Sequence, residues 1–243
     1  YPDHGDDSDT LLKHGDIAAY QAQTLSNSIQ VYSKDNDQFT KMKLELAQSL
    51  KQAINGDALD LYLQPKLSLH SHAVIGFEFL LRWHDVIHGF VPPEKIVSTA
   101  ENTGLISALT RWVIKRALQI GKKLYDAGNV YSLAINVTAS DLLDSETLPH
   151  LKKMLQRYSI DPKNVIFEIT EGTMIHDPEK TMESIRQYRE LGVKLSIDDF
   201  GTGYSSLAYL QKLQLDELKI DRSFIMDLDT DTNNQKIVQS IID

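Results

Sequence analysis

An apolar run, Val193-Lys194-Leu195-Ser196-Ile197, ends on two adjacent carboxylates, Asp198-Asp199, and then turns through Phe200-Gly201-Thr202-Gly203. A strand that delivers acids at its end and passes into a glycine turn describes the rim of an α/β active site, where parallel strands present their C-terminal ends. Taken alone, the stretch also fits a turn with a helix cap, because Asp, Gly, Thr and Ser are all favoured there. Other runs weigh against that. Ala73 to Phe77 leads into Glu78, Tyr131 to Ile135 into Asn136, and Asn164 to Phe167 into Glu168, while Asp216 to Asp221 carries Lys219 between apolar neighbours. Side chains from so many separate turns of a strand-and-helix pattern converge only if the strands lie parallel with their C-terminal ends together. Six strands are expected, at about 61–67, 73–81, 131–136, 164–169, 193–197 and 216–220.

Composition narrows the class. A chain of 243 residues, 42% hydrophobic and 24% charged, has material for one large α/β core. No run approaches the apolar length of a membrane span and no signal-peptide pattern opens the chain, so no membrane insertion is expected. The absence of cysteine excludes disulfides and thiolate metal sites and fits a cytoplasmic setting, with any inner-membrane anchor of a parent protein lying upstream. A net charge of −9 argues against a nucleic acid polymer as partner, since that needs a basic face.

Six motifs stand in order and in register: Gln64-Pro65, Glu78 to Trp83, Asn136-Val137-Thr138, Glu168-Ile169-Thr170-Glu171, Asp198 to Ser206, and Lys219 to Phe224. From about Phe39 to Asp243 the chain thereby resembles the EAL family of cyclic di-GMP phosphodiesterases. The resemblance implies an α/β fold, a modified TIM (β/α)8 barrel that is incomplete in this chain because its last strands are absent. It also implies hydrolysis of cyclic di-GMP to linear pGpG by a metal-dependent, two-metal mechanism; the alternative is an inactive EAL-type receptor for the same ligand. A complete metal cup favours the enzyme. The family's name-giving tripeptide reads Glu78-Phe79-Leu80 here, with an aromatic residue where a small or aliphatic one is usual, and Phe79 is expected to be housed in the layer under the cup.

An acidic cup would repel an anionic dinucleotide, so cations must mediate, and oxygen and amide ligands suit hard ions. By resemblance, Glu78, Asn136, Glu168 and Asp198 hold a first Mg²⁺ or Mn²⁺, Asp198 and Asp199 share a second, and Ca²⁺ inhibits. Two ions roughly 3.5–4 Å apart can activate water and clamp an in-line displacement. Lys219 is then a catalytic residue beside Asp199, Gln64 and Arg82 bind the ligand, and Glu171 braces the loop after Asp198. A homodimer through the barrel is implied as well.

Residues 1–34 are similar to the C-terminal end of a GGDEF-like domain, with Gly15 and Gln23 departing from that family's usual alanine and lysine. Phe39, Met42, Leu46, Leu50 and Ala53-Ile54 recur at helical spacing before Gly56, which predicts a linker helix over 35–56. Residues 57–243 are then the EAL-type barrel, C-terminally truncated, with GGDEF-like and sensor domains upstream in the parent; the isolated piece is expected to be inactive. Asp199-Phe200-Gly201 lacks the other loops of a kinase, and Asp227 to Asn233 lacks the glycine and glutamate of a calcium loop.

Overall fold

Val165 to Ile169 are buried without interruption, the pattern of a parallel strand covered on both faces. This strand lies in a computed structural model that describes residues 4–24, 29–174, 177–201, 213 and 215–242. Residues 1–3 and the part of the Asp198 to Ser206 motif after Gly201 lie outside the described residues. The chain divides into two compact units, Tyr1–Asp60 with Leu81–Leu109, and Leu61–Leu80 with Thr110–Asp243.

In the first unit, α1 (Ser8–Thr24) begins where the Asp7 carboxylate accepts the Thr10 amide at 2.9 Å. Helix α2 (Lys34–Asn55) ends at Gly56, whose N–H bonds the Gln52 carbonyl. Leu46, Leu50, Ala53 and Ile54 form its buried stripe, whereas Met42 is exposed. Helix α3 (Pro93–Asn102) packs beside α2 through buried Ile96 and Ala100, and proline at its start costs no hydrogen bond.

The second unit holds most of a sheet built from β1 (Asp60–Leu67), β2 (Val74–Asp85), β4 (Ser132–Asn136), β5 (Val165–Thr170), β6 (Lys194–Phe200) and β7 (Glu217–Ile220), hydrogen-bonded in that order. From β2 to β7 the pairs are parallel. The six residues between β1 and β2 are too few for a parallel crossover and leave room only for a hairpin. All six expected strands form. A seventh, β3 (Gly89–Val91), pairs antiparallel with the far end of β2, and three residues are too short to show a period in the sequence. Helix α4 (Ile106–Asp126) leads into β4, α5 (Ala139–Leu143) and α6 (Thr147–Tyr158) join β4 to β5, and α7 (Pro178–Leu191) joins β5 to β6. A short α8 (Arg222–Ile225) and α9 (Thr232–Ile242) follow β7.

A flat sheet would hold β1 and β7 about 24 Å apart at the usual strand spacing of about 4.8 Å. Lys66 Nζ in β1 nevertheless lies 2.6 Å from Glu217 Oε1 in β7. The sheet therefore curls, as the wall of a barrel does, and the side chains on its concave face meet. Gly76 lets β2 and β4 approach, since a Cβ there would stand 1.8 Å from Ser132 Oγ. The start of α5 is fixed by Thr138 and Asp141 in a reciprocal cap, and buried Asp141 also accepts the Thr110 hydroxyl from α4 at 2.6 Å.

One expectation is corrected. Glu78 reaches the concave face, and successive side chains of a strand point to opposite faces, so Phe79 lies on the convex side and not under the cup. It is 2% exposed there. Phe79→Ala is expected to lower unfolding free energy by about 3–5 kcal/mol, read by urea denaturation, with cation affinity unchanged because the cavity opens on the far face.

Candidate metal centre

Glu78 on β2, Glu168 on β5 and Asp198 on β6 offer carboxylate oxygens that all lie within 4.8 Å of one another. The register sets Asn136 level with Glu168, whereas Glu78 pairs with Ala134 and Asp198 with Thr170, so the positions step along the strands by two residues from β2 to β4 and again from β5 to β6, the stagger of a barrel wall. Asn136 joins the group by donating from Nδ2 to Glu78 Oε1 at 3.0 Å. Lys219 on β7 enters from the other end of the sheet. Its ammonium donates to Glu78 Oε2 at 3.1 Å, Glu168 Oε2 at 3.2 Å and Asp198 Oδ2 at 2.8 Å, one bond for each of its three protons.

Electrostatics follow from this crowding. Burial pushes the Glu168 carboxyl above the usual glutamate range, and the Lys66 hydrogen bond and the Lys219 charge offset this only in part. Burial also opposes the charge on Lys219, but Asp198, Glu168 and Glu78 outweigh it and hold the ammonium above the ordinary lysine value. Four carboxylates, counting Glu217, face the two ammonium groups of Lys66 and Lys219, which leaves two negative charges uncompensated. A purely oxygen donor set with that residual charge fits a hard divalent cation such as Mg²⁺ or Mn²⁺.

Asp199 lies outside the triad. The β6 and β7 register shifts between Ile197 and Phe200, and Asp199 takes a left-handed φ of 53°, a conformation that Asp tolerates better than most residues. This bulge releases the two aspartates from strict alternation. Burial and the like charges of Asp198 and Asp221 raise the Asp199 carboxyl. Glu171 accepts the Gly201 amide at 3.3 Å, where the loop leaves β6. Gln64 is exposed on β1. Arg82, in the first unit, is half-buried and donates to the Leu81 carbonyl at 2.8 Å.

Three participants, Lys66, Glu217 and Ser196, escape a reading of the sequence. Lys66 donates to Glu168 Oε1 at 2.8 Å and to Glu217 Oε1 at 2.6 Å, and the Ser196 hydroxyl donates to Glu217 at 3.3 Å. Each follows a two-residue step from a residue already singled out: Gln64 to Lys66, Lys219 to Glu217, Asp198 to Ser196. In a strand that step keeps the same face.

The EAL domain family matches residues 47–243. Cyclic di-GMP phosphodiesterase NbdA of Pseudomonas aeruginosa is 36% identical over 244 aligned positions, covering 100% of this chain and 31% of NbdA. Cyclic di-GMP phosphodiesterase PdeR of Escherichia coli is 33% identical over 242, covering 99% of this chain and 36% of PdeR. The chain thus spans about a third of the length of the curated relatives it matches. A solved structure of the PaMucR phosphodiesterase in complex with c-di-GMP superposes with a TM-score of 0.76 and 37% identity, over 82% of this chain and 81% of that one. The FimX EAL domain from Pseudomonas aeruginosa bound to c-di-GMP gives 0.73 and 25%, over 82% and 79%. The curled α/β sheet of this chain, an incomplete barrel, matches the fold of these structures over most of their length.

Proposed function

This chain belongs to the EAL domain family, and we propose that it is the phosphodiesterase segment of a protein that hydrolyses cyclic di-GMP to linear pGpG. The observation that carries this reading is the triad of Glu78, Glu168 and Asp198 with Asn136 beside it, an oxygen cup on the concave face of parallel strands. Glu78, Asn136, Glu168 and Asp198 would hold one Mg²⁺ or Mn²⁺, and Asp198 with Asp199 a second. Bound there, the ions supply the positive charge that activates water and offsets the charge of the attacked phosphodiester.

The chain's own residues divide the remaining work. Lys219 would hydrogen-bond the attacking water and place its positive charge near the phosphate on which negative charge grows. Glu171 fixes the amide of Gly201, and with it the turn that carries Asp199. Gln64 and Arg82 would bind the dinucleotide. In this reading residues 1–34 close a GGDEF-like domain, 35–56 form a linker helix and 57–243 the barrel, which pairs with a second copy. No helix among the described residues is long and apolar enough to cross a membrane.

Chromatography of the nucleotide products tests the reading. The parent protein, purified with its barrel complete, is expected to release pGpG in Mg²⁺ or Mn²⁺, to stop in excess chelator and to be inhibited by Ca²⁺. Turnover undiminished by chelation overturns the metal mechanism. Tight binding of cyclic di-GMP with no product in either ion turns the reading into that of a receptor.

A further inference from the structure

Glu168 is held by two cations at once, one on each oxygen: Lys66 on Oε1 at 2.8 Å and Lys219 on Oε2 at 3.2 Å. Its side chain has no exposure to solvent, so neither oxygen has water as an alternative partner. Lys66 is itself anchored from the side away from the triad. Glu217 stands two residues before Lys219 on the same face of β7, one step deeper in the sheet, and it holds the Lys66 ammonium at 2.6 Å. The Ser196 hydroxyl in turn holds Glu217. Burial works against the charge on Lys66, yet its bonds to Glu168 and Glu217 prevail and keep the ammonium charged.

We infer that Lys66 is an ion-selectivity residue: by occupying Oε1 of Glu168 it leaves that carboxylate one oxygen to coordinate with. This rests on the reading of Glu168 as a metal ligand. Mg²⁺ takes six ligands in near-octahedral order and is content with single oxygens, whereas Ca²⁺ takes six to eight and commonly grips both oxygens of a carboxylate. A lysine fixed on Oε1 therefore costs Ca²⁺ a ligand and costs Mg²⁺ none. Its charge also repels both ions, by nearly the same amount because both are divalent. The two effects separate in the measurement. The charge moves both affinities together, and the occupied oxygen moves only their ratio.

The test is calorimetric titration of the purified protein with Mg²⁺, Mn²⁺ and Ca²⁺ and no nucleotide, for wild type, Lys66→Met and Lys66→Arg. Lys66→Met is expected to bind all three ions more tightly, with Ca²⁺ gaining about tenfold over Mg²⁺. Lys66→Arg, which keeps the charge and the donor, is expected to retain the wild-type ratio. Should Lys66→Met fail to fold, Lys66→Leu, uncharged and without a donor, carries the same expectation. Equal gains for Ca²⁺ and Mg²⁺, or no gain, overturn the selectivity role while leaving the metal centre intact. If wild type binds none of the ions, or binds them as tightly in Glu168→Gln, the metal-centre reading fails and the selectivity role with it.

Discussion

Glu168→Gln is expected to cut turnover of cyclic di-GMP by more than about a hundredfold and to remove stabilisation by Mg²⁺, while the fold survives. Glu168 is the fully buried member of the triad, and burial disfavours its carboxylate as an anion. It therefore depends most on a cation, and the cation depends on it. Glutamine has nearly the same shape but carries no charge. Both lysines retain carboxylate partners after the change, Lys66 with Glu217 and Lys219 with Glu78 and Asp198. The cost to folding is then that of one altered hydrogen-bond set, about 1–3 kcal/mol, and not that of a stranded buried charge. Circular dichroism should show native content, and Mn²⁺ calorimetry should show the loss. Wild-type ion affinity in this variant sinks the assignment of Glu168.

The strand ends were legible because parallel sheets write them twice, as an apolar run and as the chemical residue that follows it. Asn136 closes β4, Glu168 and Asp198 stand two residues from the ends of β5 and β6, and Glu78 lies midway along β2, with the stagger and curl of the sheet bringing them together. Lys66 and Glu217 were not legible, because a charged residue inside a strand looks like any solvent-facing position until the curl of the sheet is known. The bond between β1 and β7 shows that their faces meet across a concave interior. The position of Phe79 was misjudged for a different reason. Chain adjacency to Glu78 suggested spatial adjacency, whereas the pleat sends neighbours to opposite faces. Asp199 illustrates a third limit, since its direction is set by a bulge and a left-handed φ that no residue pattern announces.

Lys219→Met is expected to tighten ion binding and weaken catalysis together. In the structure the Lys219 ammonium sits at the focus of Glu78, Glu168 and Asp198, bonded to all three, so it fills the place to which a cation would be drawn. An incoming ion has to displace it, and the work of breaking three charge-assisted bonds is subtracted from the binding energy. Methionine removes that competitor. It also leaves three carboxylates facing each other, with Lys66 the remaining cation among the described residues, which destabilises the ion-free protein. The melting temperature without ions should fall below wild type, and added Mg²⁺ should raise it by more than it does in wild type, because ligand binding to the folded state adds to stability. Turnover should fall by about 10²–10³-fold at saturating Mg²⁺, since the positive group that faces the phosphate has gone. A residue that merely braced the sheet would lose affinity, stability and turnover in step. Tighter Mg²⁺ binding beside slower turnover is the mark of an ammonium that guards the ion site when empty and serves the reaction when displaced, and weaker Mg²⁺ binding in Lys219→Met would refute that double role.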